Sequence, residues 1–150
     1  MKQVFIAAML GFALFDAMAG ESVADQFDFK GSEILNRIDK ELGTRSFGGL
    51  SRNSQKCHVG IIETNGVVQV LISGPQNIEF TFALDETLTS FLSGDEYVSS
   101  LQIIKKVGNQ KAYLQVRTFS EEFGAPGKEV SIFPLGDISG SVTCRDIDYR

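Results

Sequence analysis

The chain has 150 residues, 43% hydrophobic and 22% charged, with a formal charge of −5. That length and apolar fraction suit one globular domain with an ordinary core. With 14 Lys+Arg against 19 Asp+Glu, no positive field is available to collect phosphates, which weighs against a nucleic-acid binder. One histidine, two cysteines and no tryptophan leave little from which to build a metal centre, a redox motif or a tryptophan sugar platform.

Met1-Lys2-Gln3 is followed by an apolar run from Val4 to Phe15 and then by Asp16-Ala17-Met18-Ala19-Gly20. An early lysine, a short apolar run and an Ala-x-Ala ending predict a secretory signal peptide over residues 1–19, with a second possible cleavage after Ala24. The run is shorter than the ~20 residues needed to span a bilayer. The expected product is a single β-rich domain over residues 20–150, carrying an N-terminal arm and a helix. It would be periplasmic or secreted, with no membrane insertion after cleavage.

Cys57 and Cys144 are the only cysteines, and in an exported protein a single pair is most simply a structural disulfide. Their spacing is nothing like Cys-x-x-Cys, and only His58 is near enough in sequence to activate a thiolate.

In chain order, residues 20–31 are polar with isolated Phe27 and Phe29 and read as the arm. Ser32 is the expected N-cap of a helix whose apolar stripe is Ile34, Leu35, Ile38 and Leu42, ended by Gly43. This helix should cover an opening or face of the core. Thr44 to Lys56, with Gly48-Gly49, reads as a loop. Cys57 to Thr64 and Val67 to Ser73 flank Asn65-Gly66, a strong hairpin signal. A two-residue turn sets Thr64 opposite Val67, Glu63 opposite Val68, Ile61 opposite Val70 and Val59 opposite Ile72. It thereby puts Cys57, Val59, Ile61, Val68, Val70 and Ile72 on one face.

Ile78 to Leu84 alternates as a strand with Ile78, Phe80, Phe82 and Leu84 inward. Asp85 to Glu96 reads as a helical turn or irregular excursion holding Leu88, Phe91 and Leu92. Tyr97 to Val107 and Lys111 to Phe119 form a second hairpin, a loop follows from Glu121 to Gly127, and Lys128 to Phe133 and Ile138 to Arg145 are the last strands. The fold class is mainly β: an antiparallel sandwich or small barrel of about seven strands preceded by one short amphipathic helix. A disulfide joining the first of these strands to the last suits either architecture.

Chemistry is sparse. Gly-x-Ser-x-Gly, Ser-x-x-Lys and His-Glu-x-x-His are absent, as is any phosphate-cradling glycine loop. A serine triad would have to use His58, which falls on the outward face of its strand. The acidic clusters Asp85-Glu86, Asp95-Glu96, Glu121-Glu122 and Asp146/Asp148 sit at turns or the terminus, where charge keeps loops wet. Asp146-Ile147-Asp148 lacks the further oxygens and glycine turn of a calcium loop, so no metal site and no cofactor is expected. Lys105-Lys106 reads as edge protection. Inward phenylalanines fill a core or line an apolar cavity, and Tyr97, Tyr113 and Tyr149 are the aromatics available for sugar stacking. These features point to an exported, non-enzymatic binding or interaction module, its partner a small ligand or a protein of unknown identity and not a nucleic acid. Two alternatives are a small hydrolase with paired carboxylates and a structural subunit of an envelope assembly built on an unpaired strand edge.

Overall fold

The hairpin register set by Asn65-Gly66 recurs residue for residue in a computed structural model that describes residues 25–120 and 126–147, apart from the side chain of Ile138. The expected signal peptide, Glu121-Glu122, Asp148 and Tyr149 lie outside these residues. The elements are β1 (Asp25–Lys30), α1 (Gly31–Leu42), β2 (Ser46–Leu50), β3 (Lys56–Thr64), β4 (Val67–Ser73), β5 (Ile78–Ala83) and β6 (Thr87–Gly94). They continue with β7 (Val98–Val107), β8 (Gln110–Phe119), β9 (Gly127–Phe133), a 3-10 turn at Ile138–Gly140 and β10 (Val142–Ile147). All ten strands belong to one open antiparallel sheet in the order β1-β6-β7-β8-β9-β10-β2-β3-β4-β5. The sheet curls: β5 touches β8 and β9, which stand far from it in that order. Both halves therefore feed one core, in keeping with the sandwich or barrel class, with ten strands in place of about seven.

The predicted inward set of the first hairpin is the inward set observed. Val59, Val68, Val70 and Ile72 are at most 1% exposed and Cys57 and Ile61 at most 8%. The non-glycine Asn65 takes a left-handed backbone (φ 53°) beside Gly66 (φ 78°), the pair of positive angles that a type I′ turn requires. Phe80 and Phe82 are buried, with Ile78 and Leu84 packed at the margin of the same cluster.

Three segments differ from expectation. Residues 25–30 form an edge strand on β6, not an arm; the spacing of Phe27 and Phe29 places them on one face, where their rings stack 5.4 Å apart. Residues 46–50 form β2, not part of a loop. The Gly48-Gly49 pair that suggested a loop answers a packing demand, since a Cβ on Gly49 would lie 2.3 Å from the Arg145 carbonyl oxygen of β10. Residues 87–94 form β6, not a helical turn. Leu88 is buried in the core and Phe91 on the opposite face, so burial on both faces erased the simple alternation. The last strand begins later than expected, because Asp137 Oδ1 accepts hydrogen bonds from Ser139 Oγ (2.6 Å) and the Gly140 N–H (3.2 Å) and turns the chain there.

Helix α1 supplies Ile34, Leu35, Ile38 and Leu42 to the core, and Gly43 ends it with φ 71°, as the stripe and the glycine imply. Its start lies two residues earlier than expected. Lys30, not Ser32, holds the N-cap position and gives no side-chain cap. The orphan N–H groups are satisfied by tertiary contacts instead: the Gly31 N–H donates to Glu86 O (2.8 Å) and the Ser32 N–H to Leu84 O (2.9 Å). At the other end, Glu41 accepts from Ser99 Oγ (3.1 Å) and Thr118 Oγ1 (2.9 Å), and Lys128 Nζ donates to the Leu42 carbonyl (3.2 Å). The helix is thus tied at both ends to strands on the two sides of the core.

Among the described residues, one buried side-chain polar atom has no partner: the hydroxyl of Ser90, which is fully buried on the inner face of β6. Removing a buried unpaired hydroxyl recovers its desolvation cost. Ser90→Ala is expected to raise the unfolding free energy by about 1 kcal/mol, read as a shift in the urea midpoint at unchanged slope.

Candidate functional site

The residues singled out by sequence scatter over the molecule. Cys57 and Cys144 form the disulfide, with Cα atoms 5.9 Å apart. His58 points outward from β3, where its Nε2 lies 2.9 Å from Ser46 Oγ of β2. Serine and histidine at that distance are two members of a triad, but both are exposed on a strand surface, and no described carboxylate hydrogen-bonds or ion-pairs with the ring.

Two members of the acidic clusters, Glu86 and Asp95, serve local structure. Glu86 Oε1 accepts the Ala83 N–H (2.7 Å) and pairs with Lys105 Nζ (3.6 Å). Asp95 Oδ1 accepts the N–H groups of Tyr97 (2.8 Å) and Val98 (2.9 Å), closing the β6–β7 turn. These two backbone hydrogen bonds hold the Asp95 carboxyl below the usual carboxylate range. A 13C titration of the side-chain carboxyls should find Asp95 protonating at lower pH than an ordinary aspartate; a normal midpoint would show that the turn is open in solution. Glu86 and Asp95 flank β6 at its opposite ends, about 30 Å apart at 3.3 Å per residue, well beyond the 5–10 Å of a glycosidase pair. Asp146 is exposed near the end of β10. Among the described residues no group of three or more His, Cys, Asp or Glu side chains is arranged to hold a metal ion. Tyr113 packs edge-on against Phe133 (6.1 Å, 88°), and burial raises its phenol above the usual value.

A concave, polar site does exist, built from residues that sequence reasoning passed over. β10 and β2 share a single register pair, Arg145↔Leu50, whereas β10 and β9 share six. The β2–β3 loop and β10 come together at this seam. Two clefts lie side by side there. One, of about 310 Å³, is lined by Leu50, Ser51, Arg52, Ser54, Thr143, Arg145 and Ile147. The other, of about 410 Å³, has Asn53, Gln55, Pro75, Gln76, Ser141 and Val142 on its walls and shares Ser51, Arg52 and Thr143 with the first.

The loop between the clefts is internally bonded. The Ser51 N–H donates to Gln55 O (2.8 Å), the Ser54 N–H to Ser51 O (2.9 Å), and the Gln55 N–H to Ser51 Oγ (3.2 Å), with Ser54 left-handed at φ 62°. This leaves Arg52 exposed at the tip, and among the described residues it has no ion-pair partner.

Arg145 is held from behind. Glu129, with its side chain 4% exposed, sits between Arg117 Nη1 (3.2 Å) and Arg145, whose Nε lies 2.6 Å from Glu129 Oε2 and whose Nη2 reaches the same oxygen. Thr143 Oγ1 shares a hydrogen bond with Ser131 Oγ (2.8 Å). Among the described residues, none that lines either cleft is acidic.

The signal in the sequence was Ser51-Arg52-Asn53-Ser54-Gln55, a run of donors without an apolar residue. It becomes a site only because the Cys57–Cys144 bridge and the adjacent strands bring Arg145 to it. Comparison with protein-family models, with curated proteins and with solved structures finds no match.

Proposed function

We propose that this protein is an exported, non-enzymatic binding module whose ligand occupies the clefts beside the β2–β3 loop. The carrying observation is the loop itself: a self-bonded turn that holds Arg52 between two concave surfaces lined by hydroxyl and amide groups. A rigid loop on a rigid sheet binds without paying to order itself. Export is supported by the disulfide, which suits an oxidising compartment, and by the leader-like residues 1–19. No helix of the described residues is long and apolar enough to cross a membrane. The described residues of the clefts are arginines, hydroxyls, amides and small apolar groups, a set suited to binding and not to general-base chemistry at neutral pH.

Native mass spectrometry of the protein isolated from its own host's envelope or medium tests the reading. A chain beginning at Gly20, lighter by ~2 Da than its reduced form and carrying an extra mass lost on denaturation, is the expected result. A chain retaining residues 1–19, or one that arrives and remains bare, would overturn it.

A further inference from the structure

We propose that the turn of the β7–β8 hairpin is a peripheral docking tip that seats this protein on an anionic lipid surface. The inference does not rest on the clefts, which lie elsewhere on the sheet.

The cations carry the first half. Lys106 and Lys111 are a register pair, directly opposite each other on β7 and β8. By strand alternation both stand on the outer face, the side away from Ile103 and Leu114 in the core. Like charges so placed repel and weaken the pairing. β7 lies between β6 and β8, so Lys106 protects no edge of its own strand, contrary to the expectation for Lys105-Lys106. Lys105 is engaged, with Glu86 and the Thr81 carbonyl as its partners. Among the described residues neither Lys106 nor Lys111 has an ion pair. Lys30 adds a cation at the same end of the sheet, with the exposed Asp85 beside it offsetting part of its charge. Asp137, in the neighbouring loop, accepts from Ser139 and Gly140. An anionic surface facing Lys106 and Lys111 turns their repulsion into attraction.

The apolar half stands next to them. Residues 106–110 are exposed throughout, and Gly108 makes the turn with φ 62°. Val107, at 53%, is the most exposed of the large apolar side chains described. Its cross-strand partner Gln110 lies against Gly136, whose N–H donates to the Lys111 carbonyl (3.1 Å). Leu135, 38% exposed, is thereby carried to the same tip. Apolar side chains at a turn with lysines directly behind suit the boundary of a bilayer. Val107 and Leu135 enter between the headgroups, while the lysine stems lie along them and keep their ammonium groups among the phosphates. A soluble polyanion would use the lysines and leave both apolar groups in water, and the net charge of −5 repels a long one. So few anchors give reversible, salt-sensitive attachment and not insertion.

The test is flotation of the exported, oxidised protein with vesicles of phosphatidylcholine alone and of phosphatidylcholine mixed with phosphatidylglycerol. Binding to the mixed vesicles and not to the neutral ones, weakened by added salt, is the expected result. Lys106→Gln with Lys111→Gln should weaken it about thirtyfold. The same variant should not melt at a lower temperature, because it removes a repulsive cross-strand pair. Val107→Ser, at a half-exposed position, should weaken binding about fivefold. Lys40→Gln with Lys56→Gln, the same charge change elsewhere, should leave it unchanged. Capture by neither vesicle, capture by both alike, or undiminished binding by the Lys106/Lys111 double variant would overturn the proposal. Vesicle binding that is indifferent to Val107→Ser and equalled by soluble heparin would show a general polyanion site and overturn the lipid assignment.

Discussion

Replacing both bridged cysteines, Cys57→Ala with Cys144→Ala, should cost about 4–5 kcal/mol of unfolding free energy. The bridge spans a sequence separation of 87, and closing so long a loop in the unfolded chain removes more entropy than a short one would. Its position makes it harder to replace. Every other neighbouring strand pair shares at least five register pairs, but β2 and β10 share one. Backbone hydrogen bonding at that seam is therefore weakest where the covalent link lies, and both sulfurs sit in the core, with Cys144 fully buried and Cys57 8% exposed. For a domain of this size the loss corresponds to a fall in melting temperature on the order of 10–20 °C. Thermal and urea unfolding of the oxidised protein and the double variant measure it. A change below ~1 kcal/mol would mean that the seam holds through contacts other than the bridge.

Gly31→Ala is the second large effect, and its sign opposes helix propensity. In an exposed helix, alanine for glycine is worth up to ~1 kcal/mol in favour of the variant. Here a Cβ would stand 1.9 Å from the Ala83 carbonyl oxygen and 2.9 Å from its carbon. Those atoms are backbone, held by β5's pairing to β4 and by the Leu84 N–H to Gly66 O hydrogen bond, so no side-chain rotation can relieve the overlap. The start of α1 must move away, losing its hydrogen bonds to Glu86 and Leu84 and part of the packing of Ile34 and Leu35. Overpacking of this kind costs typically 1–3 kcal/mol, and the lost caps bring the expected total to about 3 kcal/mol. Gly43→Ala provides the contrast: nothing lies within 4 Å of its Cβ, but φ is 71°. Only the left-handed backbone is strained there, at about 1 kcal/mol. Equal losses at the two positions, by urea unfolding, would argue that α1 does not sit against β5 as described.

How much could be read from the sequence depended on whether one local rule acted alone. Between Cys57 and Ser73 the alternation and the Asn-Gly turn agreed, and the register followed in full. Around Leu88, Phe91 and Leu92, burial on both faces of β6 mimicked helical spacing. At Gly48-Gly49, turn chemistry suggested a loop because the demand that put glycine there, the Arg145 carbonyl of a strand about a hundred residues away, is invisible locally. The helix start failed for a related reason: its cap is supplied by the β5–β6 turn and not by Ser32. The candidate site was least legible of all. Arg52 and Arg145 carry no motif, and they meet only after the sheet has curled and the bridge has closed. The lone histidine and the acidic residues Glu86 and Asp95 drew attention as residue types, yet the fold gives them a strand surface and turns.

Lys105 has a part to play beyond this chain's own stability. β5 ends the sheet, and an uncovered edge offers its backbone groups to any passing strand. Lys105 reaches from β7 across the core side to donate to the Thr81 carbonyl (2.8 Å), while Glu86 takes the Ala83 N–H and pairs with the same lysine. The guard is therefore an ion pair standing on neighbouring segments, not a charge planted in the edge strand. A second molecule adding its own strand beside Thr81 and Ala83 would have to displace both side chains to reach those backbone groups. High salt weakens that pair, so access to the Thr81 and Ala83 backbone groups at this edge is governed by two side chains that lie outside the edge strand itself.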